Sequence, residues 1–386
     1  MAQENDIKHI IREIKNKYAP DSRVEVFEIN AHHKNSTSIV SGVTTSRDAY
    51  EELLSVLKEM HPGVIDSIRL LPDTQLAEST EGIVYNSVGT IRYAPRYNSE
   101  MITQTLLGVK VKILEEKNDW RRIQTPDKYI GWIKGSVNPQ NKKEIDSYNA
   151  KQKVIISSLY ATSYELPDEK SNPVSDLVIG NILVLKSDSD EYYEVEYPDG
   201  RAAFVMKKDA LTHDNWIKNI DLSGESIANS ALRFNGIPYL WGGTSSKGLD
   251  CSGFTKIVYY MHGISLPRDA SQQVNKGLLI DSKREFDILC PGDLLFFGTK
   301  GSKVAIGNGD FKNSKHNDER VVHVGIYIGN NHFIHASDFV RINSLSPSDV
   351  LYDKFNTDRY LRSNRYIENG KPVNVDMLDI LQLNKR

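Results

Sequence analysis

Apolar residues in the first 77 positions recur first at helical and then at strand spacing. Isoleucines return every three or four residues near the start of the chain, which predicts a helix over 4–18. A second helix is predicted over 47–60, where Pro62 and Gly63 follow its end. The remaining alternating segments predict strands over 23–30, 36–43 and 64–71. This order of elements predicts a small α+β domain over 1–77.

The region from 78 to 213 contains the same pattern twice. The first copy has Gly108, Trp120, Pro126-Asp127 and Trp132, and the second has Gly180, Tyr192, Pro198-Asp199 and Phe204. Corresponding positions are 72 residues apart, which indicates an internal repeat. Short alternating segments with turn residues between them predict small β-barrels over 78–138 and 150–213, joined by a polar linker over 138–151. Two unrelated β-hairpin units are the alternative, which the identical offsets disfavour.

Charge and cysteine content exclude several classes of protein. The chain has 48 Lys and Arg against 51 Asp and Glu, so the net charge of −3 disfavours a nucleic-acid binder. No apolar run approaches the roughly 18 residues of a membrane span. The start, Met1–Asn5, has no basic head before an apolar stretch, so no signal peptide is visible. The two cysteines, Cys251 and Cys290, cannot form a disulfide framework.

One of the cysteines stands at a predicted helix start. Residues 225–234 predict a helix, and a glycine-rich loop leads from it to Asp250. The apolar spacing that follows predicts a helix that runs on from Cys251, with Asp250 as its N-cap. The helix dipole and a neighbouring imidazolium would lower the pKa of a thiol in this first turn. We therefore expect Cys251 to be a thiolate nucleophile, the alternative being a buried structural thiol.

Two downstream strands supply histidines for such a nucleophile. Strands are predicted over 321–329 and 332–337, with a turn between them. A three-residue turn pairs residue 328 with 332 and residue 325 with 335, which places His323 and His335 on one face. His332 then points away from the site. A two-residue turn would put His323 and His335 on opposite faces, so the site depends on the register of this hairpin.

Zinc is the alternative ligand for the same three side chains. Cys251, His323 and His335 could hold a metal, but structural sites normally use four protein ligands, and catalytic sites keep an open position. No further ligand is evident in the sequence. We therefore expect no metal and no cofactor.

Other chemically suggestive residues have ordinary interpretations. We expect Cys290 to be packed at a strand entrance, and Arg268-Asp269 to be an ion pair or loop anchor. Trp241 is expected to form a wall of the cleft, with a core position as the alternative. The long charged segment 298–320 predicts a surface insertion, and loops of this length often border functional sites.

Six sequence blocks after position 236 carry a family resemblance. They are Pro238-Tyr-Leu-Trp-Gly-Gly, Asp250-Cys-Ser-Gly-Phe, Leu266-Pro-Arg-Asp-Ala-Ser-Gln-Gln, Pro291-Gly-Asp-Leu-Leu-Phe-Phe, His323-Val-Gly-Ile-Tyr-Ile-Gly and Phe333-Ile-His-Ala. In this order they resemble the NlpC family of bacterial cell-wall cysteine peptidases. The resemblance implies a papain-like α+β catalytic domain over 222–386, following two SH3-like barrels and the small α+β domain, whose topology resembles BON-type accessory domains.

The resemblance also implies roles for individual residues. It implies that Cys251 is the nucleophile, His323 the base, His335 the residue that orients the base, and Tyr239 a hydroxyl that stabilises the oxyanion. The two barrels before the catalytic domain resemble the subgroup that cleaves the γ-D-glutamyl–L-diamino acid bond of murein peptides with a free N-terminal L-alanine. For binding that peptide the resemblance implies Tyr129, Asp250 and Ser252, with Glu100 as the nearest acid to a family position that is Ile102 here.

The expectation is therefore an envelope peptidase that acts through a thioester acyl-enzyme and works as a monomer on murein peptides. A non-catalytic peptidoglycan-binding protein and a thiol amidase or acyltransferase on a similar fold are the alternatives. The sequence is compatible with a periplasmic or secreted enzyme and with cytoplasmic recycling. It does not choose between meso-diaminopimelate and lysine as the diamino acid.

Overall fold

The computed structural model describes residues 2–34, 37–301 and 319–378. Its first domain packs two helices against a three-stranded sheet in which β1 and β2 are antiparallel and β2 and β3 parallel. The elements are α1 (Ala2–Tyr18), β1 (Phe27–Lys34), β2 (Thr37–Thr44), α2 (Arg47–Met60) and β3 (Ile65–Leu70). The predicted isoleucine face of α1 is buried against Leu53 and Leu57 of α2. The order of elements agrees with the sequence pattern.

The first strand begins four residues later than predicted. The Asp21 carboxylate accepts the backbone N–H of Arg23, and the Asp21 carbonyl accepts the N–H groups of Val24 and Glu25. These local bonds hold residues 21–25 in a turn, which competes with the extended conformation that their apolar spacing suggested. The turn has a further consequence, because it points the side chain of Arg23 toward the C-terminal domain.

Seven antiparallel strands form the first barrel, in the spatial order β10-β4-β7-β8-β9-β5-β6. They are β4 (Glu81–Val84), β5 (Val88–Arg92), β6 (Met101–Leu106), β7 (Lys110–Lys117), β8 (Trp120–Gln124), β9 (Ile130–Lys134) and β10 (Val137–Gln140). The inward positions of these strands are mainly valine and isoleucine, among them Val111 and Ile123. The barrel is therefore a small, separately packed core.

A second barrel repeats this arrangement in the order β13-β12-β16-β15-β14-β11-β17. Its strands are β11 (Lys153–Ile156), β12 (Tyr160–Tyr164), β13 (Pro173–Val178), β14 (Ile182–Asp188), β15 (Tyr192–Glu196), β16 (Ala202–Met206) and β17 (Ala210–Thr212). β15 and β16 lie 72 residues after β8 and β9, as the repeat requires. Gly108 and Gly180 both have positive φ, 82° and 86°, so each copy needs glycine before its central strand.

The segment between the barrels is not an extended linker. Residues Lys142–Ala150 form a helix, α3, which begins at a capping box of Asn141 and Glu144. The Asn-x-x-Glu pattern was the available signal, and it is the standard N-terminal signature of a helix. Ile145 is buried on its inner face.

The C-terminal domain places helices against a six-stranded antiparallel sheet of order β21-β26-β22-β23-β24-β25. Its elements are α4 (His213–Lys218), α5 (Gly224–Leu232), β18 (Thr244–Ser245), β19 (Gly248–Leu249), α6 (Cys251–Met261), β20 (Ile264–Ser265), α7 (Ala270–Gln273), β21 (Leu278–Asp281), β22 (Leu294–Lys300), β23 (Glu319–Gly329), β24 (His332–Ser337), β25 (Phe339–Ser344), α8 (Lys354–Asp358), β26 (Tyr360–Arg365), β27 (Ile367–Glu368), β28 (Lys371–Pro372) and β29 (Asp376–Met377). Phe254 and Val258 of α6 pack on Val324 and Ile334. This packing brings the first turn of α6 to the middle of the sheet.

The ends of the predicted insertion 298–320 belong to strands. β22 continues to Lys300 and β23 begins at Glu319, so residues 298–300 and 319–320 are not part of a surface insertion. Residues 302–318 lie outside the described part of the chain. Within that part, no helix has both the length and the apolar character needed to cross a membrane.

Candidate active site

Cys251 is the first residue of α6, as the sequence predicts. Asp250 adopts an extended conformation and its carboxylate accepts the N–H of Gly253 at 2.7 Å, which caps the helix. Gly253 has no room for a side chain, since a Cβ there would lie 2.0 Å from the carbonyl oxygen of Gly243. The glycine therefore lets the preceding loop lie directly against the helix that carries the nucleophile.

His323 and His335 meet across the β23–β24 hairpin, with 2.7 Å between His323 Nε2 and His335 Nδ1. The predicted three-residue turn is wrong. Gly329 pairs with His332 around a two-residue turn, and a β-bulge between Tyr327 and Gly329 restores the register, so that Ile326 pairs with Ile334. The bulge adds the extra residue that the predicted turn would have supplied.

The space for the second imidazole comes from Gly325, which lies opposite His335. A Cβ at this position would approach the Cβ of His335 to 3.2 Å and Phe333 to 3.0 Å. His332 lies outside this pair. Its ring contacts the carbonyl of Asn330 at 2.7 Å and the carboxylate of Asp349 at 3.0 Å.

A further side chain fixes the proton positions in the histidine pair. Asn343 donates its Nδ2 to the carbonyl of Leu351 at 3.0 Å, which turns its Oδ1 toward His335 Nε2, 2.9 Å away. His335 must therefore carry its proton on Nε2 and accept at Nδ1. Nε2 of His323 must then carry a proton, which it donates to Nδ1 of His335. This leaves Nδ1 of His323 as the basic atom.

Sequence reasoning missed Asn343. The signal was a third strand after the histidine hairpin, in which Val340 and Ile342 alternate with polar residues. In the structure β25 pairs with β24, with Phe333 opposite Asn343. This register puts the amide one diagonal step from His335.

Asn343→Leu is expected to lower kcat about 100-fold with little change in KM, because it removes the acceptor that sets the tautomer of the general base. Histidine-selective ¹⁵N NMR should show the ring proton of His335 moving from Nε2 to Nδ1. Asp353→Asn is the matched control, because that carboxylate lies 4.0 Å from the same nitrogen. Unchanged tautomers in a fully active Asn343→Leu protein would contradict this assignment.

The resting pair is neutral, which corrects the expected thiolate. Burial raises the pKa of the Cys251 thiol to about 12, and the charge of Asp250 adds to this, while the N–H groups of Val324 and Ser252 oppose it. Burial and the nearby His335 hold the pKa of His323 well below its usual value. Desolvation of the charged forms therefore outweighs the helix dipole. His323 is unprotonated at neutral pH and is ready to act as a general base.

Alkylation of Cys251 by iodoacetamide is therefore expected to accelerate about tenfold per pH unit between about pH 7 and 10, since a thiol with a raised pKa is deprotonated progressively over this range. The measurement needs a Cys290→Ser background, because Cys290 is exposed rather than packed as the sequence suggested. The Cys290 side chain turns outward where its N–H binds the Asp293 carboxylate. A rate that is flat from about pH 5 to 9 would indicate a thiolate after all.

Asp250 is already engaged by a buried arginine. Both carboxylate oxygens contact the guanidinium of Arg268, which is 1% exposed, and they also accept the N–H groups of Gly242 and Gly253. Ser252 joins the cluster through its hydroxyl, 3.0 Å from Arg268. The sequence suggested an ion pair between Arg268 and Asp269, but in the structure Arg268 pairs mainly with Asp250. Few acceptor sites on Asp250 remain for a ligand.

Tyr239 lies next to the nucleophile. Its backbone N–H donates to the carbonyl of Asp338, and it forms a β-bridge with Leu249. Burial raises the pKa of the Tyr239 phenol, and the negative charges of ionised Cys251 and Asp250 raise it further. The hydroxyl therefore stays protonated over the working pH range and can donate a hydrogen bond to an oxyanion.

The first barrel reaches the catalytic domain with the residues predicted for substrate binding. The hydroxyl of Tyr129 lies 3.1 Å from the carboxylate of Asp269, and Glu100 accepts the indole N–H of Trp241 at 2.7 Å. The Trp241 ring is 62% exposed, as a cleft wall would be. Thr103 and Gln104 add buried hydrogen bonds to Arg268 and Thr244.

The N-terminal domain also reaches this junction, which the sequence did not suggest. Arg23 donates to the Asp269 carboxylate at 2.8 Å and is held in place by Asp21. Asp21 in turn accepts a hydrogen bond from Gln272. In the second barrel the counterpart of Tyr129 is Arg201, which donates instead to a carbonyl of the first barrel. Only the first barrel therefore offers a tyrosine hydroxyl to the catalytic domain at this repeat position.

The described residues contain no group of three or more His, Cys, Asp or Glu side chains arranged to hold a metal ion. His323 and His335 instead contact each other at 2.7 Å, and the backbone N–H of Val324, the residue after His323, faces the Cys251 thiol. Such an arrangement can carry out acyl transfer through a covalent intermediate.

Comparisons with known proteins agree with this chemistry. Residues 236–365 match the NlpC/P60 family, and residues 91–136 match the bacterial dipeptidyl-peptidase SH3 domain. The chain is 30% identical to a gamma-D-glutamyl-L-lysine dipeptidyl-peptidase of Bacillus cereus, over 68% of this chain and 76% of that protein. It is 28% identical to a Bacillus subtilis protein of the same name, over 76% and 90%.

A solved structure is similar over most of the same region. The crystal structure of an NlpC/P60 family protein from Bacillus cereus superposes with a TM-score of 0.61 at 26% identity. The match covers 75% of this chain and all of that one. The expected fold class, with SH3-like barrels before a papain-like catalytic domain, is thereby confirmed.

Proposed function

Because this chain belongs to the NlpC/P60 family and is a cysteine peptidase of peptidoglycan peptides, we propose that it hydrolyses the bond between γ-D-glutamate and an L-diamino acid. The preferred substrate is a murein peptide with a free N-terminal L-alanine. The observation that carries the proposal is the Tyr129 hydroxyl, which the first barrel holds against Asp269, the residue that follows Arg268 of the Arg268–Asp250 pair. The Bacillus relatives, named as gamma-D-glutamyl-L-lysine dipeptidyl-peptidases, support the same bond.

The first half of the reaction forms an acyl-enzyme. As the Cys251 sulfur attacks the γ-carbonyl carbon, Nδ1 of His323 takes the thiol proton. His335 stabilises the resulting imidazolium through the Nε2–Nδ1 hydrogen bond. Tyr239 donates its hydroxyl to the oxyanion. Collapse breaks the C–N bond, the amine of the diamino acid leaves with the proton from His323, and a thioester remains.

Hydrolysis of the thioester completes the cycle. Water attacks the same carbonyl carbon while His323 takes one of its protons. The C–S bond breaks, the proton returns to the Cys251 sulfur, and the new γ-carboxylate of D-glutamate is released. No oxidant, metal or external cofactor is required by this sequence of steps.

The amine end of the substrate meets the first barrel. The Tyr129 hydroxyl donates its hydrogen bond to Asp269, so the lone pairs of its oxygen are available to accept from an ammonium group. Glu100 supplies a negative charge beside the exposed Trp241 ring. Asp250 contributes mainly by holding Arg268 and the helix start, since its oxygens are already hydrogen bonded. This division replaces the expected direct role of Asp250.

The test is product identification. The wild-type enzyme and Cys251→Ala are incubated with L-Ala-γ-D-Glu-L-Lys and with its meso-diaminopimelate counterpart, and the products are separated by mass spectrometry. L-Ala-γ-D-Glu and the free diamino acid are expected only with the wild type. Cleavage at any other bond would overturn the proposed specificity.

We also propose that the protein acts outside the cytoplasm and that it works as a monomer.

A further inference from the structure

The guanidinium of Arg359 is held in place beside the catalytic histidines without an acid partner. Its Nε and Nη2 both donate to Asn356 Oδ1, at 3.0 and 2.7 Å, and the guanidinium lies 4.2 Å above the ring of Phe355. Within residues 2–34, 37–301 and 319–378, no carboxylate oxygen lies within 4.0 Å of it. Phe355 is 69% exposed, so this arginine borders solvent.

Short contacts connect this arginine to the histidine pair. Asn356 Nδ2 donates to Asp353, and the Asp353 carboxylate lies 4.0 Å from His335 Nε2. Tyr360, the next residue after Arg359, pairs with Phe297, whose ring centre is 5.8 Å from that of His323. Arg359 therefore lies at the edge of the catalytic centre.

A second arginine, Arg341, lies on the face of the sheet that carries His335. Arg341 of β25 is the cross-strand partner of His335, and directly paired residues project to one side of a sheet. Its Nε is buried and has no hydrogen-bond partner among the described residues. In the described part of the chain it forms an ion pair, at 3.4 Å, with Asp338, whose side chain is 82% exposed. A buried donor without a partner is costly unless something else satisfies it.

Both arginines act against the charged form of the catalytic base. Both arginines lower the pKa values of His323 and His335. At His335, the Asp353 carboxylate and the hydrogen bond with Asn343 act in the opposite direction and raise the pKa. The enzyme would gain from an anion that compensates these charges when the substrate is bound. The hydrogen bonds of the first barrel to the catalytic domain reach residues between 241 and 269, whereas Arg341 lies on β25 and Arg359 directly after α8. The arginines therefore border the part of the cleft away from the amine end.

We propose that Arg359, assisted by Arg341, binds the carboxylates of the leaving diamino acid and so favours meso-diaminopimelate over lysine. The inference rests on the proposed function, because it assigns the leaving side of that reaction. In the free tripeptide, diaminopimelate presents two carboxylates and lysine presents one. Both side chains end in an ammonium group, which two guanidinium groups repel, but in diaminopimelate the second carboxylate stands beside it and offsets that repulsion. Bidentate guanidinium–carboxylate pairs are among the stronger hydrogen bonds available to a protein.

The experiment uses three tripeptides that begin L-Ala-γ-D-Glu and end in meso-diaminopimelate, L-lysine or L-lysine amide. Their third residues carry two, one and no carboxylates. In the wild type we expect kcat/KM to fall about tenfold at each step, mainly through KM. Arg359→Gln should reduce kcat/KM on the diaminopimelate peptide about tenfold or more and leave the amide nearly unchanged. Arg359→Lys, which keeps the charge, should restore part of the difference.

Lys354→Gln is the matched control. Lys354 is a cation on the same helix, but it is 74% exposed and pairs with Asp358. It should leave all three values unchanged. Equal kcat/KM for the three peptides in the wild type, or the same loss on all three in Arg359→Gln, would overturn the assignment of Arg359 while leaving the proposed function intact. A wild type that cuts none of them at this bond would overturn both.

Discussion

The Cys251→Ala protein is expected to fold normally and to hydrolyse murein peptides at least about 10⁴-fold more slowly than the wild type. In the proposed reaction this thiol attacks the carbonyl, and removal of a nucleophile or its base typically costs this much or more. His323→Ala should be nearly as damaging, because it removes the proposed general base. Cys251→Ala is a small change at a helix start capped by Asp250, so the melting temperature of this variant should remain within a few degrees of the wild type. Steady-state kinetics and melting curves together check the expectation.

His332→Ala is the control for this series. It removes a histidine from the same hairpin, but one that contacts Asn330 and Asp349 instead of the catalytic pair. Its activity should stay within a few fold of the wild type. A comparable loss at His332 and His335 would contradict the observed register. A folded wild type without hydrolytic activity would instead favour the alternative of a peptidoglycan-binding protein.

N-acetylation of the substrate alanine is expected to lower kcat/KM by about two to four powers of ten. The free amine, with a pKa of about 8, is an ammonium group at neutral pH. It can donate to Glu100 and to the Tyr129 oxygen, and each charge-assisted hydrogen bond is worth about 1.5–3 kcal/mol. Acetylation removes the charge and adds bulk where the barrel meets the catalytic domain. Peptides that still carry muramic acid on alanine should be equally poor.

Tyr129→Phe should shrink the difference between the free and acetylated peptides, because it removes the acceptor but keeps the ring. Tyr97→Phe is the control on the same barrel, since that ring is 70% exposed and packs on Trp120. Equal kcat/KM for the two peptides in the wild type would mean that the barrel does not restrict the cleft. The enzyme would then belong with the broader class of endopeptidases that act on intact wall.

Much of this architecture was readable from local patterns. The 72-residue offset predicted two barrels because each copy has the same turn residues and the same aromatic positions. The cysteine at a helix start followed from the N-cap preference of Asp250 and the apolar spacing after it. The shared face of His323 and His335 followed from strand alternation. Each of these features depends on residues close together in the chain.

Other local signals were present but misjudged. The Asp21 turn delays the first strand, and the capping box at Asn141 makes a helix of the segment expected to be a linker. The hairpin reaches its register with a bulge after Tyr327 instead of a longer turn. In the first two cases, local hydrogen bonds competed with the conformation that the hydrophobic pattern suggested, and in the third an extra backbone residue changed the pairing. The spacing of apolar residues alone does not reveal these effects.

The sequence by itself was enough to predict the nucleophile, the base and the order of domains. Only the tertiary structure decided their charge states and neighbours. Asp250 is neutralised by Arg268, Asn343 sets the histidine tautomers, and Arg23 of the N-terminal domain meets Asp269 across 246 residues of sequence. Burial then raises the pKa of Cys251 where helix position alone would lower it. Desolvation and long-range pairing depend on what the whole fold brings together, and no periodicity in the chain encodes them.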